Sequence, residues 1–245
     1  MIMSRYQIKL HDGPARLGLL DDTETPLLLE HDGMEIAPHE TIPYSVPREI
    51  AEWGVDETLR MASGSAADYA FIHGSSYQDL RIRCALELEE MGFRRLIVAN
   101  MDELLQRPGD LVRILTALRE SLKPETLLCS TFSHPAFIPI LTYMGMDLFS
   151  DATAELYGRL NILLTESHTY PLDTYGICDA GAGDLMERNR HTLELIISEV
   201  REHIRNGTLR NLVEERAASS PQNMSALRIL DREKQEFLQR YTPLY

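Results

Sequence analysis

The stretch Met144-Gly-Met-Asp-Leu-Phe-Ser-Asp-Ala-Thr-Ala-Glu-Leu-Tyr157 holds the residues best placed to do chemistry. An apolar run ends at Leu148-Phe149, and Ser150 and Asp151 follow at once. A carboxylate in that place can attack a carbon or move a proton, and a serine hydroxyl can attack if a base takes its proton. β/α barrels present catalytic groups at this point, just past the C-terminal end of a parallel strand. Adjacent strand positions point to opposite faces, so Ser150 and Asp151 should not serve the same side. An Asp after a strand also caps helices.

Two more polar residues follow apolar runs. His73 comes after Tyr69-Ala-Phe-Ile72, and Asn100 after Leu96-Ile-Val-Ala99. A histidine there can meet the edge of a polar ligand or exchange a proton near neutral pH. An Asn amide offers both donors and an acceptor. His134 before Pro135 reads as turn or cap chemistry, and Cys84 and Cys129 as small buried hydrophobes. Asp179-Ala-Gly-Ala-Gly-Asp184 has glycines but acids at both ends, which disfavours a phosphate cradle.

The elements that must position these groups follow a regular beat. Apolar runs at 69–72, 96–99, 126–129 and 146–149 predict strands. Helical spacing predicts helices over 77–91, 102–122 and 135–144 between them. Alternating strands and helices imply parallel β-α units, so strands ending at Ile72, Ala99, Thr131 and Phe149 should lie side by side. No Gly-rich dinucleotide signature follows the first of these strands, and no residue pattern calls for a cofactor. Residues 5–30 read as short strands and turns, and 31–47 as a loop before a helix opened by Pro47. Residues 166–189 read as loop. Helices are then expected at 191–205, 209–218 and 224–241, with Gly207 as a C-cap.

The chain carries 24 basic and 38 acidic residues, a net charge of −14. Nucleic-acid binding rests largely on neutralising phosphates, so this balance predicts that a partner supplies any grip on RNA. Three widely spaced cysteines do not form a disulfide framework. No apolar run is long enough for a membrane span, and the first residues lack a signal-peptide core. The expectation is a cytoplasmic protein.

Several segments, in order, resemble the tRNA-guanine transglycosylases, especially their archaeal branch. Ala15-Arg-Leu-Gly18 with Thr25-Pro26 resembles the family's opening strands. Ile72-His-Gly-Ser75 followed by Asp79-Leu-Arg81 resembles its Gln-Gly-Gly strand end and next helix. Residues 100–108 and 144–157 resemble later strand ends. His191-Thr-Leu through Asn206-Gly-Thr-Leu-Arg-Asn-Leu-Val-Glu-Glu-Arg-Ala217, Pro221 and Ala226-Leu-Arg228 is similar to the helical end of the catalytic domain.

The resemblance implies a shortened or incomplete TIM-type β/α barrel over residues 1–165 and a C-terminal helical region over 166–245. It implies base contacts at His73, Gly74, Ala99 and Asn100. The family's nucleophilic Asp aligns with Ser150, and the carboxylate stands one place later, at Asp151. Residues 27–72 are too few for the family's base-recognition carboxylates and Ser-Gly-Gly-Phe-type loop. Of the zinc ligands Cys-x-Cys-x-x-Cys and a later His, only Cys178 and His191 remain, so no bound metal is expected. Shortened domains of this kind resemble those of archaeosine synthases. The implied role is an archaeal tRNA-modification subunit, a homo- or hetero-oligomer, that holds a 7-deazaguanine-type base in tRNA without exchanging it. A non-catalytic scaffold of such a complex is the alternative.

Overall fold

The computed structural model describes residues 6–178 and 181–240. Strands β1 (Tyr6–Asp12), β2 (Ala15–Leu20) and β3 (Thr23–Thr25) form a small antiparallel sheet. Strand β4 (Leu27–Leu29) leaves it for a second sheet. Helix α1 (Arg48–Ala62) and β5 (Tyr69–Ile72) follow. Next come α2 (Gln78–Glu90), β6 (Arg95–Val98), α3 (Met101–Leu105), α4 (Pro108–Ser121) and β7 (Leu127–Ser130). They lead to α5 (Ile138–Tyr143), β8 (Leu148–Ser150) and α6 (Ala152–Arg159). A hairpin of β9 (Ile162–Leu164) and β10 (Thr169–Pro171) then meets α7 (Leu172–Tyr175). The rest is helical: α8 (Ala182–Asn206), α9 (Leu209–Ala217), α10 (Pro221–Glu233) and α11 (Gln235–Leu238).

The second sheet is parallel, in the order β4-β8-β7-β6-β5. The four strands expected from the β-α beat therefore lie side by side. The chain's fourth strand pairs with its eighth, which no local pattern announced. One face buries Tyr69, Ile97, Leu127, Cys129 and Leu148, with Leu20 reaching in from the antiparallel sheet. The other face buries Ala70, Ile72, Leu96, Val98, Leu128 and Phe149 under the helices. Burial on both faces explains why these strands read as unbroken apolar runs.

The expected TIM-type barrel is thus met as a five-stranded parallel sheet followed by helices, with β4 and β5 as its edges. Between β4 and β5 the chain runs through residues 30–47 and then α1. Ile36 forms a parallel bridge to Tyr69, while Tyr69 N donates to Glu35 O and Ala37 N to Tyr69 O. No closed barrel forms among the described residues.

Other expectations shift at the edges. The helix expected over 102–122 is two helices. Pro108 lacks an amide donor and restricts the residue before it, so it starts α4 rather than continuing α3. The region 166–189, expected as loop, holds β10, α7 and the first turns of α8. Gly207 does cap α8, at φ 64°, with its N–H turned back to His203 and Ile204 carbonyls. The stretch 224–241 is divided between α10 and α11.

A buried ion pair fastens the two sheets together. Arg16 of β2 donates through Nε and Nη2 to the two Asp147 oxygens at 2.6 and 2.8 Å, and both side chains are essentially without solvent contact. Arg16 also donates to the carbonyls of Pro124 and Thr126. Asp147 accepts a further bond from Leu128 N at 2.9 Å. Arg119 lies 3.9 Å from the same carboxylate, and burial together with the Arg16 charge pushes its pKa down to about 9. Removing one member of such a group leaves a buried charge uncompensated. Arg16→Met is therefore expected to lower unfolding free energy by about 3–5 kcal/mol in urea titration. A loss below about 1 kcal/mol, the size of a surface pair, overturns this account.

Candidate functional site

The predicted site residues stand at the C-terminal ends of the parallel strands. Extended alternation puts His73 on the face of Tyr69 and Phe71, Ala99 on that of Ile97, and Ser150 on that of Leu148. Asp151 is already outside the strand. Its backbone is helical, at φ −77° and ψ −2°, and it sits at the N-cap of α6 without capping it through its side chain. The alternation expected to separate Ser150 from Asp151 therefore stops at Ser150.

Two turns form one side of the site. After β5, Gly74 has φ 142°, and a Cβ there would stand 2.6 Å from Arg81 N, so only glycine lets this turn lie against α2. After β6, Asn100 is left-handed at φ 59°. The fully buried Arg81 ties the turns together. It donates to Ser75 O at 2.7 Å, to Ala99 O at 3.0 Å and to Asn100 Oδ1 at 3.2 Å. Burial pushes its pKa down to about 10.

Residues 30–47 run as a strap from the end of β4, alongside β5 at Tyr69, to the turns after β5 and β6, and every polar residue singled out at a strand end bonds to it or to its own turn. His39 Nδ1 meets His73 Nε2 at 3.0 Å, and the two rings stack at 5.1 Å. Asn100 Nδ2 donates to Ile42 O at 3.1 Å. Ser75 Oγ donates to Pro43 O and Tyr77 OH to Val46 O. Asp151 Oδ1 accepts from His31 N at 2.9 Å and lies 2.7 Å from His31 Nδ1. Ser150 Oγ, buried, accepts from Ala152 N at 3.1 Å.

Each arrangement limits the chemistry. Burial, helped by His39 and Arg81, pushes the His73 pKa down to about 3. His73 is thus a neutral hydrogen-bonding ring under the closed strap, with its Nδ1 buried and unpartnered, and not a proton shuttle near neutral pH. Ser150 has no base against it among its hydrogen bonds. Asp151 is engaged by an imidazole, with Arg190 Nε 3.9 Å from its second oxygen. His134 accepts from Ala136 N, the cap role expected of it. Cys84 and Cys129 are buried, as expected.

Cys178 is a free thiol and His191 is exposed beside Glu194. Among the described residues no group of three or more His, Cys, Asp or Glu can hold a metal ion. Asp179 and Ala180 of the glycine-containing loop lie outside the described residues. No helix among the described residues is long and apolar enough to cross a membrane.

His31, His39, Glu155, Arg81 and Arg190 were not singled out as site residues from the sequence. His31 had a usable signal: it follows Pro26-Leu-Leu-Leu29, an apolar run like the one before His73. Its value depended on β4 joining the parallel sheet, which is a long-range pairing.

Parallel strands joined by helices, with polar residues at the strand ends, define an α/β protein; sheets of this class generally bind ligands at the carboxyl ends of their strands. Residues 34–179 match the family model of queuine tRNA-ribosyltransferase. The chain belongs to that family. It is 31% identical to the archaeosine synthase of Methanocaldococcus jannaschii, over 64% of this chain and 25% of that protein. It is 29% identical to the tRNA-guanine(15) transglycosylase of Thermococcus kodakarensis, over 82% of this chain and 40% of that one. The M. jannaschii tRNA-guanine(15) transglycosylase is 27% identical, over 95% and 42% respectively. The chain thus spans a quarter to under half the length of these relatives.

The depressed His73 pKa makes stability depend on pH. The folded value lies below the unfolded one, so this contribution is fully present above the ordinary histidine range. It is lost as pH falls toward 3. The urea midpoint should drop steeply below about pH 6.5 and less steeply in His73→Gln. His73 ring signals that titrate near neutrality in an NMR series would contradict the buried neutral state.

Proposed function

We propose that this chain is a component of archaeal tRNA modification that holds a 7-deazaguanine-type base at the strand-end face and does not exchange bases by itself. The observation that carries the reading is the local geometry after β8. Ser150 stands where the family resemblance puts a nucleophilic carboxylate, and its hydroxyl oxygen accepts from Ala152 N. The nearby carboxylate, Asp151, is held by His31. Covalent base exchange needs a free nucleophile aligned on the ribose carbon. Holding a base needs only placed donors and acceptors, which His73, Asn100 and the turn backbone at Gly74 and Ala99 offer.

A base reaches these groups only if the strap moves aside. RNA affinity in this reading comes from a partner subunit, since a net charge of −14 opposes unaided binding to a polyanion. The second reading, a scaffold without a ligand, is favoured by the same strap, because its bonds already occupy much of the polar strand-end face.

The purified full chain, alone, should incorporate no labelled guanine into tRNA. Measurable exchange that Asp151→Ala abolishes overturns the base-holding reading. With its co-purified partner, modification of tRNA should fall about tenfold or more in His73→Ala and Asn100→Ala, the cost of one lost hydrogen bond of about 1.4 kcal/mol. Unchanged activity in both variants, with the complex intact, supports the scaffold instead.

A further inference from the structure

The strap's first contact differs in kind from the others. Both ring nitrogens of His31 meet carboxylates: Nδ1 lies 2.7 Å from Asp151 Oδ1 and Nε2 lies 2.6 Å from Glu155 Oε2. The first contact is a hydrogen bond and the second an ion-pair distance; a carboxylate is an acceptor only, and the imidazolium alone presents an N–H to both. The remaining strap contacts are carbonyl, hydroxyl or neutral-ring hydrogen bonds, apart from Glu30, which accepts from Arg190 at 2.8 Å, and Tyr44 OH, which donates to Asp110 Oδ2 at 2.6 Å.

We propose that His31 is a proton-dependent latch. As imidazolium it fastens the strap to Asp151 and Glu155 and keeps Asp151 engaged. On losing a proton it keeps one donor, so one carboxylate is left facing a nitrogen lone pair, and that end of the strap loosens. The inference concerns the same strand-end face as the proposed function but does not rest on its substrate.

The charges around His31 support this sense. Asp32, from its own turn, approaches Nε2 at 3.2 Å. From α6, Glu155 is also paired with Arg159. From α8, Arg190 stands 3.9 Å from Asp151, bonds Glu30 at 2.8 Å and lies 3.3 Å from Glu194. Arg190 can take over the Asp151 charge when His31 lets go, so opening does not strand a bare carboxylate. The hydrogen bond to Asp151 raises the His31 pKa, burial opposes it, and the charges of Asp151, Asp32 and Glu155 add to the rise. A raised histidine pKa means that the latch is fully closed below the ordinary histidine range. It is lost as pH rises through the folded value. The bond from His31 N to Asp151 does not depend on this proton and limits how far the strap moves.

The test combines an NMR titration of the histidine rings with hydrogen exchange of peptides from 31–47, corrected for the intrinsic pH effect. His31 should titrate above free histidine, and strap exchange should rise about tenfold across its midpoint, as one charge-assisted hydrogen bond is lost. His31→Gln should exchange fast at every pH. Glu155→Gln, a milder change on a partly exposed side chain, should lower the His31 midpoint while the fold is retained. A His31 midpoint at or below that of free histidine overturns the latch. So does strap exchange that ignores the His31 titration.

Discussion

Asp147 is the residue on which the arrangement of this molecule turns. Its side chain takes two bonds from Arg16 and one from Leu128 N, and its own carbonyl accepts from Leu27 N. One residue thereby joins the antiparallel sheet to the parallel one and starts β8 between β7 and β4. Ser150 and Asp151 emerge at the other end of that strand, so the register set at Asp147 decides where they arrive. A buried carboxylate is costly unless its partners are complete. Here they come from distant parts of the chain, which makes the pairing specific.

The far end of the sheet is organised by the strap. In a full barrel, side chains and loops from every strand surround the mouth. Here residues 30–47 run from the end of β4 past β5, and they provide partners for Asp151, His73, Ser75, Asn100 and Tyr77 in turn. The same residues that could grip a ligand are therefore tied to a single segment. Access to all of them is coupled, because one segment must leave for any of them to be free. Beneath it Arg81 fixes the two turns whatever the strap does, since its acceptors belong to the turns themselves.

Family membership and local chemistry point in different directions at one place. The chain matches the family over residues 34–179. At the end of β8 it offers a serine tied to a backbone amide and a carboxylate tied to a histidine. Family membership does not by itself carry reactivity, which depends on the groups present at the site.

Much of the fold was legible in the sequence. The runs at 69–72, 96–99, 126–129 and 146–149 are buried on both faces, so their apolar character survives any detail of packing. Gly207 announced a helix end because only a residue at ease with positive φ fits there. His73 and Asn100 could be placed at strand ends for the same local reason. What the sequence could not decide was which distant groups meet. The pairing of β4 with β8, the Arg16–Asp147 contact 131 residues apart and the His31–Asp151 contact 120 residues apart all depend on long-range closure. The last of these meetings turned Asp151 from a free carboxylate into a partner of His31, and burial beside His39 and Arg81 turned His73 from a neutral-pH acid-base candidate into a neutral ring. Protonation and reactivity follow from burial and neighbours, and only the tertiary structure supplies either.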